Sequence, residues 1–100
     1  MHRIGIIEDD PDTREGLAAI IEADKRYSVV VRAAGLEDAK QQMARVLPDL
    51  FLVDLDLEDG NGATLIPDLV SKDAKVLVLT VLGDRKSVMT ALEAGADGYL

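Results

Sequence analysis

Four oxygen-bearing side chains stand where apolar runs of this 100-residue chain end. Arg3-Ile4-Gly5-Ile6-Ile7 gives way to Glu8-Asp9, Leu50-Phe51-Leu52-Val53 to Asp54, and Lys75-Val76-Leu77-Val78-Leu79 to Thr80. A short apolar run bounded by turn residues reads as a strand buried on both faces. In an open parallel sheet the carboxyl ends of the strands share one edge, and ligands bind there. If the first and third strands are neighbours, three carboxylates converge, and their repulsion raises at least one pKa unless a cation neutralises them. A hard divalent cation with oxygen ligands answers that need. Mg²⁺ in particular takes one or two carboxylates together with waters and phosphate oxygens. A carboxylate held beside Mg²⁺ can attack a phosphorus centre and become an aspartyl phosphate. Thr80 would then hydrogen-bond a phosphoryl oxygen. Taken singly, each feature has an ordinary reading. Asp54 ends a strand and caps a turn, Glu8-Asp9-Asp10 is a solvated cap cluster, and Thr80 is a strand residue. Three strand ends agreeing in one fold favour the site.

The elements that position these groups follow from periodicity. Asp10-Pro11 is a helix start, a capping carboxylate followed by proline at the first helical position. Leu17, Ile20 and Ile21 form the apolar stripe of a helix expected over 11–24. Tyr27 to Ala34 is β-branched and reads as the second strand, closed by Gly35. Leu36, Ala39, Met43, Val46 and Leu47 share a helical face that Pro48 stops. Beyond the third strand, Leu65, Ile66, Leu69 and Val70 mark a third helix, with Pro67 in its first turn and Thr64 as N-cap. Asp84 caps a fourth helix carrying Val88, Ala91 and Leu92 inward, and Gly95 ends it. Asp97-Gly98-Tyr99-Leu100 opens a fifth strand. Strict βα alternation with short connections specifies an α/β domain, a parallel sheet covered by helices on both faces.

Composition narrows the chemistry. With 48% apolar residues the chain is a folded domain. Nineteen acidic against eleven basic residues give a net charge of −8, which disfavours direct binding to phosphate backbones and suits divalent cations or a basic partner. There is no cysteine, hence no disulfide and no thiolate metal site. No signal-peptide pattern or run of transmembrane length is present, so a cytoplasmic protein without membrane attachment is expected. His2 reads as a surface residue and Tyr27 as packing at a sheet edge. Gly60-Asn61-Gly62 reads as a flexible turn, since it lacks the context of a nucleotide-binding motif.

On these residues the chain resembles, over its whole length, the receiver domain of bacterial two-component response regulators. It is most similar to receivers joined to helix-turn-helix DNA-binding output domains. Glu8-Asp9 matches the family's acidic pair, and Asp54-Leu55-Asp56-Leu57-Glu58 through Gly62 its phosphoacceptor motif. Thr80 matches the switch hydroxyl, and Tyr99, within Gly95-Ala96-Asp97-Gly98-Tyr99-Leu100, the switch aromatic. The resemblance implies a flavodoxin-like, doubly wound sheet of five parallel strands in the order 2-1-3-4-5. It implies Mg²⁺ held by Glu8, Asp9, Asp54 and the backbone carbonyl of Asp56, and a phosphoryl group received on Asp54 from a sensor histidine kinase. A second copy of the chain is a further candidate partner, and DNA would be reached only through an output domain. The domain is expected to be C-terminally truncated at Leu100, before the family's lysine and last helix.

This sequence departs from the family at Glu58, where proline is usual, and at Val81-Leu82, whose bulk is expected to narrow access to Asp54. Two other readings are carried. Asp54-Leu55-Asp56 resembles the nucleophile and acid/base pair of haloacid-dehalogenase phosphatases. In those enzymes the pair follows the first strand, however, and here it follows the third. A receiver-like interaction module that is never phosphorylated is disfavoured by the joint presence of Glu8, Asp9, Asp54 and Thr80.

Overall fold

A computed structural model describes residues 2–79 and 93–99. The elements are β1 (His2–Ile7), α1 (Pro11–Glu22), β2 (Tyr27–Ala33), α2 (Leu36–Met43), β3 (Leu50–Asp54), β4 (Asp56–Leu57), β5 (Gly60–Asn61), a 3₁₀ turn (Gly62–Leu65), α3 (Ile66–Ser71), β6 (Lys75–Leu79) and β7 (Gly98–Tyr99). The main sheet runs β2-β1-β3-β6-β7, and all four of its pairings are parallel. Counted among the sheet's own strands, that is the expected order 2-1-3-4-5. The two extra strands, β4 and β5, form a small antiparallel hairpin within the loop after β3, where the sequence promised only acids and glycines.

Alternation along the strands builds two cores. Ile7, Phe51, Val53, Val76 and Val78 join Ala39 of α2 and Ile66 and Leu69 of α3 in one buried cluster. Ile4, Ile6 and Leu52 join Ala18 of α1 in the other, with Leu17 and Ile21 packed against them. Ile20 departs from the expected stripe and is 73% exposed. The buried face of α1 centres on Leu17, Ala18 and Ile21, and Ile20 lies roughly 100° round from that centre.

Helix starts follow their caps. Asp10 accepts from the Thr13 amide at 3.0 Å, with Pro11 next to it. Thr64 does not cap α3. The Asn61 side chain accepts from the Ala63 amide at 2.9 Å, while the Thr64 hydroxyl donates to the Asn61 carbonyl, so a 3₁₀ turn precedes α3. Pro67 sits in the first turn of α3 as expected. α2 stops at Met43 rather than reaching Leu47. Pro48 offers no N–H to the preceding turn and holds Leu47 away from helical angles. Gly95 has φ +114 at the end of the helical residues Glu93 and Ala94, the conformation expected of a terminating glycine.

The outer edge of β2 is closed by side chains. Gln42 accepts from the Arg32 amide at 3.0 Å and donates to the Arg32 carbonyl at 2.7 Å. Asp38 accepts from the Ala34 amide at 2.9 Å. The Arg32 guanidinium bridges Glu15 and Glu22 of α1 at 2.7 and 2.5 Å.

Candidate functional site

The register pairing Ile7 with Val53 aligns the ends of β1 and β3, so Glu8 follows one strand beside Asp54 at the end of the other. Each of Glu8, Asp9 and Asp54 offers a carboxylate oxygen, and these oxygens lie within 4.8 Å of one another. Glu8 is buried while Asp9 and Asp54 are half-buried. The loop is fixed from behind. The Arg14 guanidinium donates to the Glu8 carbonyl at 2.8 Å, and the Glu8 amide donates to the Ala33 carbonyl at 2.9 Å.

This crowding shows in the electrostatics. Burial first, then a side-chain hydrogen bond with Asp54, pushes the Glu8 carboxyl up from 4.5 to about 7. The charges of Asp54 and Asp9 add to the rise, and the Asp10 amide, 3.2 Å from Oε1, opposes it. A hydrogen bond between two carboxyl groups needs a proton, and that proton offsets charge where a cation could do so instead. The donor set, three carboxylates without nitrogen or sulfur, fits a hard divalent ion such as Mg²⁺.

The acceptor strand is joined to the hairpin at short range. The Asp56 amide donates to Oδ1 of Asp54 at 3.1 Å, which orients the carboxylate. The Asp56 side chain is exposed and is absent from the carboxylate cluster. An acid/base partner for Asp54, as the phosphatase reading requires, would have to stand within hydrogen-bonding reach of the reacting groups. Gly62 donates to the Leu55 carbonyl at 2.9 Å. A Cβ there would collide with the Asp54 carbonyl oxygen and lie 2.8 Å from Val53 Cγ1. Gly62 is therefore a close-approach glycine, buried against the strand end, rather than part of a flexible turn. Arg14 is a support that the sequence does not announce, and Gly62, named in the acceptor motif, is expected from sequence only as part of a flexible turn. Only the fold places them against Glu8 and Asp54.

β6 runs beside β3 with Leu79 opposite Asp54. Thr80, Val81 and Leu82 lie outside the described residues, as do Asp84, Val88, Ala91, Leu92 and Leu100. Tyr99 is in β7, in register with Val78. His2 is exposed and its ring lies 5.6 Å from that of Tyr27, which is half-buried on edge strand β2. Among the described residues no helix is long and apolar enough to cross a membrane.

A family model described as the response regulator receiver domain matches residues 4–100. The DNA-binding transcriptional activator DevR/DosR of Mycobacterium tuberculosis is 32% identical over 102 residues, covering 100% of this chain and 47% of the relative. The nitrate/nitrite response regulator protein NarL of Escherichia coli is 33% identical, covering 95% of this chain and 45% of its own length. The chain thus spans about half the length of these relatives. Among solved structures, a LuxR-family two-component response regulator from Aurantimonas superposes with a TM-score of 0.88 at 32% identity, over 99% of this chain and 72% of that one. A response regulator from Burkholderia pseudomallei, solved with a phosphorylated aspartic acid, a calcium ion and citrate, superposes with a TM-score of 0.90 at 28% identity. That match covers 100% of this chain and 59% of the other.

Proposed function

The chain belongs to the response regulator receiver domain family, and from that premise we propose that it accepts a phosphoryl group on Asp54 and relays the change to an output surface. The observation that carries this reading is the position of Asp54. It ends a central strand, its oxygen is held by the Asp56 amide, and Glu8 and Asp9 stand beside it. The Burkholderia relative, with its phosphorylated aspartic acid, supports the same chemistry.

In the proposed step an Asp54 carboxylate oxygen forms a bond to phosphorus while the bond from phosphorus to a histidine nitrogen of the donor kinase breaks. The electron pair returns to the imidazole, which takes up a proton, and Asp54 carries an acyl phosphate. Mg²⁺, when bound, supplies the positive charge that offsets the transferring oxygens. Glu8, Asp9, Asp54 and the Asp56 carbonyl are the groups that would hold it. Asp54 is oriented by its bond to the Asp56 amide, and Glu8 would have to be deprotonated to hold a cation. Thr80 as the hydroxyl that turns toward the new dianion, and Tyr99 as the aromatic that follows it, rest on the family resemblance. The partner is a sensor histidine kinase, with a second copy of the chain as a candidate for the switched surface. Contact with DNA, as in the activator from Mycobacterium tuberculosis, would go through an output domain.

Incubation with a histidine kinase, ATP and Mg²⁺ is expected to place one hydroxylamine-labile phosphoryl group on the chain, and Asp54→Asn is expected to abolish it. Stoichiometric labelling that persists in Asp54→Asn would falsify the assignment. Continuous turnover of a phosphate monoester, on the order of 10 per second, would point to a phosphatase instead.

A further inference from the structure

The hairpin that follows Asp54 has strands of only two residues each, too little pairing to hold a loop in place unaided. Its tip is fastened to another element. Oδ1 of Asp59 accepts from the Leu36 amide at 2.9 Å and Oδ2 from the Glu37 amide at 3.1 Å. These are orphan donors of the first turn of α2. The N-cap residue of that helix, Gly35, has no side chain to offer, so the cap comes from Asp59, 23 positions beyond Leu36. The seat is shaped for it. A Cβ on Gly35 would lie 2.6 Å from Asp59 Oδ1, and one on Gly60, where φ is +145, would lie 2.7 Å from Leu36 Cδ1.

We propose that Asp59 is a positioning residue whose carboxylate ties the acceptor loop to the N-terminus of α2, so that α2 sets the place of the Asp56 backbone beside Asp54. The proposal deepens the phosphoacceptor reading and rests on it for the role of Asp56. Two charge-assisted hydrogen bonds at a helix N-terminus, favoured also by the helix dipole, make the tie a directional one. Leu57 is buried on one side of the tip and Gly62 is wedged against Asp54 at its base. The short segment from Asp56 to Asn61 is thus held at both ends. Loosening the tip frees the backbone that the Asp56 amide and carbonyl share.

A cap that merely stabilises α2 makes a different prediction from a tether, and a second substitution separates them. Asp59→Ala removes both. Gly35→Ser added to it returns a local N-cap to α2 in the space the carboxylate vacates, without reattaching the hairpin. In the full chain we expect Asp59→Ala to lower Tm, to weaken Mg²⁺ binding by up to about tenfold, the lower end of what loss of a group bonded directly to a ligand costs, and to speed exchange of the Asp56 and Gly62 amides followed by NMR. Asp59→Asn, which keeps one acceptor oxygen, should fall between. In Gly35→Ser/Asp59→Ala, Tm should recover while the Mg²⁺ affinity and amide exchange stay impaired. Unchanged exchange and affinity in Asp59→Ala, or recovery of both in the double variant, would overturn the tether. A parent chain that takes up no Mg²⁺ would instead overturn the reading of the site, and amide exchange would still decide the tether.

Discussion

At the scale of single residues the site is a matter of shared protons. Glu8 ordinarily titrates at 4.5 and here titrates at about 7. In the interval between those values the folded state binds more proton than the unfolded state, so stability falls as pH rises through it. The metal-free chain is therefore expected to lose Tm between pH 4.5 and about 7, by more than Glu8→Gln does, and the difference between the two melting curves isolates this carboxyl. If the curves stay parallel across that interval, Glu8 does not hold the proton. The same proton competes with a cation, so Mg²⁺ should bind more weakly at pH 6 than at pH 8. Glu8, Asp9 and Asp54 were legible as a set because each ends an apolar run. Which of them carries the raised pKa was not, because Glu8's burial follows from how the β1 and β3 ends meet. Asp59 was illegible for a related reason. Its partners, Leu36 and Glu37, are far away in sequence and contribute only backbone amides, which no side-chain pattern announces.

Among the elements, the strands were the most legible, because runs buried on both faces have few alternatives. Among the described residues the first three helices were legible in place but not in extent. Met43, Val46 and Leu47 continue a helical period on paper, yet the backbone leaves the helix after Met43 once Pro48 constrains what precedes it. The side chain of Gln42, in the last turn of α2, does what an adjacent strand would otherwise do for β2, giving and receiving a hydrogen bond at Arg32. Gln42→Ala is expected to lower stability by about 1 kcal/mol, the net loss of a partly exposed pair of hydrogen bonds, read as a shift of the urea midpoint. It should also raise light scattering at high protein concentration, since an open edge invites pairing between chains. Equal scattering from both proteins would show that α2 and α1 shield the edge without Gln42.

Over the described residues helices pack on both faces of the sheet. α2 and α3 pack on one face and α1 on the other, beside a groove lined in part by Ile4, Ile20, Tyr27 and Leu52. The middle of the sheet tolerates little change. Gly5 of β1 faces the Phe51 ring, with a Cβ position 2.6 Å from Cε1 and 2.9 Å from Pro48 Cγ. Gly5→Ala is expected to destabilise the folded state by about 2 kcal/mol, within the range for overpacked cores, without changing labelling of Asp54 at temperatures well below Tm. A calorimetric scan and a labelling time course would check both halves. β1 is an interior strand although it precedes the others in the chain, and its two partners, β2 and β3, come later. On the ribosome, then, a nascent chain that has emerged only as far as Pro48 can pair β1 with β2 but holds the other margin of Ile4–Ile7 open for Leu50–Val53. Those four residues are buried once folding is complete, so translation exposes them for as long as the ribosome takes to deliver β3.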